Sequence, residues 1–356
     1  MLNLTTPPDS LCILRLSAIG DTCHVVPIVR TLQRVWPTTR LTWVIGRVEA
    51  RLMGLLPGVE FITIDKRDSW GSLRALRAQL GSRRFDVLLH MQLSLRASLA
   101  ATLIRSRLRV GFDRARAREL QWLFTNAAIP ARRDEHVLDS FQGFLDALGV
   151  PRGPLQWNLP LPEEALRYAE GLTAGARATL VISPCSSHAL RNWRAERYAA
   201  VARHAAEVHG MRVILCGAPS ETERRMGEAI ERAAGVPLLN QIGRDTLPQM
   251  LALLARARVL LTPDSGPAHM ATMVGTPVIG LYAATRSARC GPYLSRAWCV
   301  DRYEEAARRY QRRSAAQLPW TKKIERPGVM DLIEVGDVLE RLDALMHAPV
   351  TIGAHE

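Results

Sequence analysis

The 356-residue sequence contains no apolar run of the roughly 18 to 20 residues that a membrane-spanning helix requires. Its start, MLNLTTPPDSLC, also lacks the basic and then apolar layout of a secretory signal peptide. These two absences favour a soluble cytoplasmic protein. At about 150 residues per domain the length predicts two domains, and 47% hydrophobic residues suffices to fill two cores.

Cysteines are few and far apart, without a CxxC pair and without histidines at zinc-finger spacing. This spacing argues against a disulfide framework and against a bound metal ion. We expect buried, reduced thiols instead. The six cysteines are Cys12, Cys23, Cys185, Cys216, Cys290 and Cys299.

Lysine is nearly absent: the sequence contains only Lys66, Lys322 and Lys323. Arginine nevertheless brings the basic residues to 47 against 34 acidic ones, a net charge of +13 that predicts an anionic partner. The sequence lacks aromatic residues interleaved with basic ones and any nucleic-acid-binding motif, so we expect no nucleic-acid partner. Two arginine-rich stretches, 105–118 and 302–313, are either attractive to an anionic membrane surface or are solvated helix faces.

The GxGxxG fingerprint is missing as well, which argues against a standard dinucleotide site. Short apolar runs do alternate with amphipathic stretches, the pattern of parallel sheets in α/β proteins. A proline-rich passage, 151–162, separates two such series. We predict an N-terminal domain at 1–165, a C-terminal domain at 166–328 and a last helix at 329–347. One arrangement of this helix is to pack back on the N-terminal domain. The predicted strands are Leu11–Leu16, Leu41–Ile45, Phe61–Ile64, Asp86–Met91, Leu108–Phe112, Thr179–Ser183, Val213–Cys216, Val259–Thr262 and Val278–Tyr282.

Polar loops directly after the strands are the places to look for a site, because open α/β sheets bind ligands outside the carboxyl ends of their strands. Ser17–Asp21 follows the first strand, with Gly20 suited to a tight turn and Asp21 placing a carboxylate at the sheet edge. Asp21 is either a helix N-cap or a general base that takes a proton from a sugar hydroxyl. His24, one turn further on, either faces the same site or lies in the core.

Three loops of the second series have residues suited to phosphate. Asp264, Ser265 and Gly266 precede a helix whose N-terminus either binds phosphate or is simply well capped. Further candidates are Ser186, Ser187 and Arg191 for a diphosphate, and Glu221, which either accepts from ribose hydroxyls or favours a helix N-terminus. This asymmetry suggests a nucleotide in the second domain and a reacting acceptor presented to Asp21 by the first.

These loops resemble the bacterial heptosyltransferases of lipopolysaccharide core synthesis, glycosyltransferase family 9. The resemblance runs in order from about residue 11 to residue 345, and the DSGxxH block is its most specific part. The matching segments are Ser17–Asp21, Arg191–Trp193, Gly217–Glu221, Asp264–His269 and Gly275–Val278.

The resemblance implies the GT-B fold, with two Rossmann-like domains whose parallel sheets face each other across a cleft. It implies ADP-heptose as the donor in the C-terminal domain and an anionic, lipid-linked core acceptor in the N-terminal domain, at the inner face of the inner membrane. It also implies an inverting transfer without metal or cofactor. Asp21 would be the base, with Gly20 and His24 on the acceptor side. Ser186, Ser187 and Arg191 would hold the diphosphate, Glu221 the ribose, Asp245 the adenine region, and Asp264, Ser265, Gly266 and His269 the heptose and phosphates.

The sequence departs from the family pattern at two places. Arg191 stands where the family often has lysine, and Tyr282–Thr285 replaces the familiar FGPT. The alternatives are a family member that uses another sugar nucleotide or a protein acceptor, and a non-catalytic nucleotide-sugar-binding protein.

Overall fold

The computed structural model describes residues 6–65 and 69–348, which divide into two compact units with the boundary between Pro160 and Leu161. The predicted boundary lies five residues later in the chain. The first part of the proline-rich passage belongs to the N-terminal unit, because Trp157 Nε1 donates to Cys23 O at 2.9 Å and Arg30 Nε donates to Trp157 O at 3.4 Å.

The N-terminal unit is built on a parallel sheet of six strands in the order β3-β2-β1-β4-β5-β6. Its central strand is buried at all five residues, which explains why it appears in the sequence as a continuous apolar run. Leu11 on this strand pairs with Leu41 on one side and with Val87 on the other. The strands are β1 Ser10–Leu14, β2 Arg40–Gly46, β3 Val59–Ile64, β4 Arg84–His90, β5 Arg105–Gly111 and β6 Ala127–Ala128.

Helices connect these strands and cover the sheet. The longest begins at Ile19, where the Asp21 carboxylate accepts the Ala18 N–H at 3.4 Å and stabilises the first turn. The helices are α1 Ile19–Val35, α2 Arg47–Met53, α3 Ser69–Leu80, α4 Leu95–Leu103 and α5 Val137–Leu148.

The C-terminal unit repeats the architecture with a second parallel sheet of six strands, in the order β12-β11-β10-β7-β8-β9. Numbered from its own first strand, this order is the same as that of the N-terminal sheet, and it is the 3-2-1-4-5-6 order of dinucleotide-binding folds. The strands are β7 Thr179–Ile182, β8 Arg212–Leu215, β9 Leu239–Asn240, β10 Val259–Pro263, β11 Val278–Tyr282 and β12 Val300–Asp301.

Eight helices accompany the second sheet within the residues that the structure describes. They are α6 Glu163–Thr173, α7 Ala195–His209, α8 Glu221–Ala234, α9 Leu247–Arg256, α10 Gly266–Met273, α11 Ser287–Cys290, α12 Tyr303–Gln311 and α13 Val335–His347.

The end of the described chain differs from the expected single helix. A short 3₁₀ turn at Val329–Leu332 precedes α13, and Trp193 Nε1 donates to Ile333 O at 3.0 Å between them. Val338, Leu342 and Leu345 of α13 join the buried core of the C-terminal unit. The buried apolar residues of this helix therefore pack within its own unit.

Every predicted strand is present, whereas the edge strands β6, β9 and β12 have two residues each and no apolar run that would have indicated them. All six cysteines are unbridged, and five of them are buried. No helix in residues 6–65 and 69–348 is both long enough and apolar enough to cross a bilayer.

Candidate active site

Each sheet has one point where the strand order reverses, and open α/β sheets bind ligands at the carboxyl ends of the two strands that meet there. In the N-terminal unit these strands are β1 and β4, which pair in parallel from Leu11 opposite Val87 to Leu14 opposite His90. The loop after β1 leads to Asp21, and the loop after β4 contains Gln92. The sequence-predicted base therefore lies at the reversal point of its sheet.

A buried arginine holds the Asp21 carboxylate. Arg15 Nη2 donates to Asp21 Oδ2, and Arg15 Nη1 donates to Met91 O at 2.5 Å. The Arg15 guanidinium also lies 5.1 Å from the centre of the Phe141 ring, and its side chain is 9% exposed. The Asp21 side chain is 35% exposed. Arg15 therefore fixes the orientation of a carboxylate that solvent, or a ligand, still reaches.

The two oxygens of Asp21 differ in their surroundings. Oδ2 accepts both from Arg15 and from the backbone N–H of Ala18, whereas Oδ1 accepts no hydrogen bond from the part of the chain that the structure describes. The N-cap reading of Asp21 is thus wrong in its detail: Asp21 is the third residue of α1, and its side chain reaches back to the residue before the helix. One oxygen positions the group, and the other has its lone pairs available for a proton.

Gln92 and Gln121, neither of which was predicted as a site residue, connect the loops around Asp21. Gln92 Oε1 accepts from the backbone N–H of Leu16 at 3.1 Å and of Ser17 at 3.3 Å. Gln121 Nε2 donates to His90 O at 2.8 Å and to Gln92 O at 3.2 Å. The position of Gln92 directly after a strand was the available signal, because polar residues there face the sheet edge.

His24 and Gly20, which were predicted for the acceptor side, are both buried. His24 is 2% exposed in the core, where its ring packs edge-on against His136 with the centroids 5.4 Å apart. Its place on the buried face of α1, next to Val25 and Val26, accounts for this. Gly20 lies buried within the first turn of α1 and not in a tight loop turn. The core reading of His24 is therefore correct.

In the C-terminal unit the strand order reverses between β7 and β10, and their following loops are hydrogen-bonded together. Ser186 Oγ donates to Asp264 O at 2.7 Å, and Thr262 Oγ1 donates to Ser183 O at 2.8 Å. Ser186 N donates to Asn192 Oδ1 at 2.7 Å. The structure thus brings together the predicted residues of two loops that are 78 residues apart in sequence.

The N-terminus of α10 opens at this reversal point. Ser265 is the N-cap residue, but its hydroxyl lies 2.7 Å from Thr262 Oγ1 and makes no capping bond to the described helix. Asp264 does not cap the helix either, because its carboxylate accepts from Arg191 and from the Cys290 thiol. The first amides of α10 are therefore available to an anion, in agreement with the positive end of the helix dipole. His269 lies one turn further along α10 and is 8% exposed.

Arg191 lies between two carboxylates. Its Nη1 donates to Asp264 Oδ2 at 3.1 Å, and its Nε and Nη2 donate to Glu325 Oε1 at 2.9 and 2.7 Å. Burial acts to raise the pKa of the Glu325 carboxyl, but the hydrogen bonds and charge of Arg191 outweigh burial and lower that pKa below its ordinary value. Three of the five N–H groups of Arg191 are used within the described chain, so one on each terminal nitrogen is left for a ligand.

The carboxylate beside the glycine loop after β8 belongs to Glu223, in contrast to the predicted Glu221. Glu223 Oε2 accepts from Ala218 N at 2.8 Å, and a Cβ atom at Gly217 would collide with that oxygen. Burial raises the pKa of Glu223. Glu221 is exposed and pairs with Arg224 and, at 2.7 Å, with Arg225 on its own helix. The prediction chose the wrong one of two glutamates that both lie in the first turn of α8.

A second loop at the same edge contains Asp245. Gly243 N donates to Gly217 O at 2.9 Å, which joins the loops after β8 and β9. Burial, with a smaller contribution from the charge of Glu223, raises the pKa of Asp245 to about 7. Burial also raises the pKa of nearby Tyr168 to about 12. This edge therefore combines low solvation with several polar groups, as a nucleoside pocket does.

The unusual segment after Tyr282 contributes two further contacts. Cys290 Sγ lies 3.7 Å from Asp264 Oδ2, and burial raises the pKa of this thiol. Arg286 lies 4.5 Å from the ring centre of Tyr303 and 5.3 Å from that of Trp320. Ser187 is exposed beside Ser186. Cys290 and Glu325, which were not predicted, thus contact the predicted site residues Asp264 and Arg191, respectively.

One group of described residues has the composition of a metal site. The ligand atoms of His204, His209 and Asp343 lie within 4.8 Å of one another, and both imidazole Nε2 atoms lie within 2.7 Å of Asp343 Oδ1. His209 ends α7 shortly before β8 begins, at the amino edge of the sheet. These contacts join α13 to α7 on the side away from the reversal point.

Two units with the same Rossmann-like strand order, each with polar loops where the order reverses, have the topology of the GT-B fold. The model of glycosyltransferase family 9 (heptosyltransferase) matches residues 73–320, and the chain belongs to this family. The resemblance, the fold class and the enzyme class inferred from sequence are therefore confirmed.

Individual relatives agree with this assignment. The chain is 38% identical to the lipopolysaccharide core heptosyltransferase OpsX of Haemophilus influenzae over 341 residues, 96% of this chain and 98% of that protein. Among solved structures, a family 9 glycosyltransferase from Veillonella parvula matches with a TM-score of 0.78 at 20% identity and covers 95% of this chain and 97% of its own. The E. coli heptosyltransferase WaaC with ADP matches with a TM-score of 0.73 at 18% identity, over 94% and 99%. At these identities the solved structures establish the fold.

Proposed function

We propose that this protein transfers a heptose from ADP-heptose to the inner core of a lipopolysaccharide acceptor at the cytoplasmic face of the inner membrane. Its 38%-identical relative, a lipopolysaccharide core heptosyltransferase, supports the acceptor class. The donor class is supported by solved structures of similar fold that contain ADP and ADP-2-deoxy-2-fluoro heptose. The single observation that carries the proposal is the carboxylate of Asp21, held at the reversal point of its sheet with one oxygen uncommitted.

Asp21 has the geometry of a general base. Arg15 and the Ala18 amide hold Oδ2, so rotation of the carboxylate is restricted and Oδ1 keeps a constant direction. An acceptor hydroxyl that donates to Oδ1 loses its proton to this oxygen as its own oxygen attacks. Gln92 keeps the loop before α1 in place through the amides of Leu16 and Ser17. Preorganisation of the base thus comes from residues that never touch the sugar.

The C-terminal unit supplies the groups that stabilise the leaving diphosphate. The uncapped amides of α10 and the two remaining N–H groups of Arg191 neutralise charge that grows on the phosphate oxygens. Ser186 and Ser187 add hydroxyl donors, and Asp264 accepts from a heptose hydroxyl. The glycine loop at 217–220 and the Asp245 loop form the nucleoside pocket, with Glu223 nearest to the ribose.

The reaction is a single displacement. A bond forms between the acceptor oxygen and the anomeric carbon, the bond from that carbon to the diphosphate oxygen breaks, and ADP leaves. Attack opposite the leaving group inverts the anomeric configuration, and the acceptor proton ends on Asp21. Cationic and N–H groups of the protein balance the charge of the leaving diphosphate, so this mechanism requires no metal ion for that purpose.

The test is direct synthesis. The purified protein is incubated with ADP-heptose and a heptose-free inner-core acceptor, and ADP release, product mass and the anomeric configuration by NMR are measured. We expect one heptose added with inversion, and undiminished turnover in the presence of EDTA. A retained configuration or loss of turnover in EDTA would contradict the mechanism. UDP-, GDP- and ADP-sugars are compared as donors, and a preference for a donor other than ADP-heptose would contradict the assigned substrate.

A further inference from the structure

The segment between β5 and β6 has an inverted pattern, with its polar residue inside and its apolar residues outside. Gln121 is completely buried and makes hydrogen bonds to His90 O, Gln92 O and the Phe112 amide. Its neighbours Leu120 and Leu123 are 55% and 58% exposed. Leu120 also has a positive φ of 60°, a conformation that is unfavourable for leucine. The hydrogen bonds of Gln121 therefore hold the apolar side chains towards solvent.

A second element extends this surface. Leu95 and Leu99 lie one turn apart on α4, are 48% and 44% exposed, and share a face. The Leu95 amide donates to Glu119 Oε2 at 2.5 Å, which joins the start of α4 to the inverted segment. We call the combined surface the apolar tip: Leu95, Leu99, Leu120, Trp122 and Leu123.

The apolar tip is a concentration of exposed hydrophobic residues and not the usual scatter. Ten large hydrophobic residues are exposed in the described chain, and five of them are in this tip. Single exposed leucines are normal on a protein surface, but a cluster of exposed apolar residues marks a site of interaction with a membrane or with another protein.

Positive charge surrounds the tip. Residues 95–133 contain nine arginines and only two acidic residues. This segment therefore carries a large part of the net charge of +13 of the whole protein. Arg114 lies 4.1 Å from the centre of the Trp122 ring, and Arg96 and Arg118 are exposed beside the leucines. The other arginine-rich stretch, 302–313, contains five arginines and two glutamates. The apolar surface and the larger basic excess thus coincide.

We propose that the apolar tip inserts into the interface of an anionic lipid bilayer, with the surrounding arginines on the headgroups. Apolar side chains rimmed by arginine are complementary to an acyl boundary below a layer of negative charge. The tip also adjoins the site, since Gln121 bonds to Gln92, which holds the loop before Asp21. The inference rests on the proposed function for one point, that the acceptor is lipid-linked. Docking at the tip places the base next to the membrane surface from which such an acceptor projects.

The experiment measures binding of the full-length protein to vesicles by co-sedimentation, with phosphatidylcholine alone and with added phosphatidylglycerol. We expect binding to the anionic vesicles. The variant L120S/L123S should bind about 10- to 100-fold more weakly, because two leucine side chains no longer leave water. Its matched control is L166S/V208S, which replaces an exposed leucine and an exposed valine of the C-terminal unit. The variant R114Q/R118Q should lose roughly 10-fold on anionic vesicles only.

The tip is exposed, so these variants are expected to fold, and circular dichroism checks this. Equal binding by the wild type, L120S/L123S and the control would overturn the proposal. So would a wild-type dimer that forms without vesicles and dissociates in L120S/L123S, because the tip would then be an interface between copies. Transfer to an acceptor without acyl chains should be unchanged in L120S/L123S. Vesicle binding requires no turnover, so the binding result can be interpreted even if the protein does not transfer heptose.

Discussion

Replacing Asp21 with asparagine removes the proposed base and leaves nearly the same shape. The asparagine oxygen still accepts from Arg15 and from the Ala18 amide, so the loop before α1 keeps its hydrogen bonds. The negative charge and the ability to take a proton are lost. The proposed donor-binding residues belong to the other unit.

The expected losses differ in size. Removing a general base lowers turnover by about 10²- to 10⁴-fold, which is roughly 2.7 to 5.5 kcal/mol of transition-state stabilisation. The stability cost is smaller. The Arg15 guanidinium is 9% exposed and would lose its countercharge, but Asp21 is 35% exposed and partly screened. We expect about 1 to 2 kcal/mol, which lowers Tm by roughly 2 to 8 °C in a unit of this size.

The assay combines kcat at saturating donor with the Kd for ADP from calorimetry. Asp134→Asn is the matched control, because Asp134 is exposed in the same unit and its φ of 54° is one that asparagine tolerates well. The control should keep full activity. If folded Asp21→Asn turns over within about threefold of the wild type, Asp21 is not the base.

Three further perturbations test the C-terminal unit. Arg191→Ala should lower kcat more than it weakens ADP binding. The exposed control Arg194→Ala should change neither quantity. Equal losses in rate and in binding would mean that Arg191 only binds the donor in its ground state. Asp245→Asn should raise Tm at pH 8 and not at pH 4. The pKa of Asp245 rises to about 7 on folding, so its ionisation destabilises the fold as the pH increases, and a pH-independent Tm difference would exclude this. Asp343→Asn should lower Tm by about 2 to 4 °C at pH 7, because its two histidine partners outweigh burial and lower the pKa of this carboxyl. Stability from a lowered carboxyl pKa is lost as the pH falls, so the Tm difference between Asp343→Asn and wild type should close below the ordinary carboxyl pKa.

The architecture was predictable because the strands are buried on both faces. Strands β7, β10 and β11 are buried at every residue, so each appears in the sequence as an apolar run between amphipathic helices. The positions of Asp21 and Asp264 followed from the rule that ligands bind beyond the carboxyl ends of parallel strands. Local patterns and a general topological rule were sufficient for these residues.

Side-chain direction was not predictable in the same way. Glu221 and Glu223 both lie in the first turn of α8, and only the fold of the glycine loop directs Glu223 to the Ala218 amide. His24 and Asp21 are one turn apart on α1, yet His24 points into the core. At about 100° per residue, Glu221 and Glu223 differ in direction by about 200°. Asp21 and His24 differ by only about 60°, so the burial of His24 depends on the elements that pack against α1.

The sequence by itself determined two parallel α/β units, their strand positions, the family and the loops that carry the site. Each of these depends on periodicity or on a local motif, which a single segment contains. Only the tertiary structure decided that Glu325 holds Arg191 from 134 residues away and that Arg15 orients Asp21. It also decided that Gln121 turns inward while three apolar neighbours face solvent. Such contacts depend on which chain segments the sheet order brings together, and no local pattern contains that information.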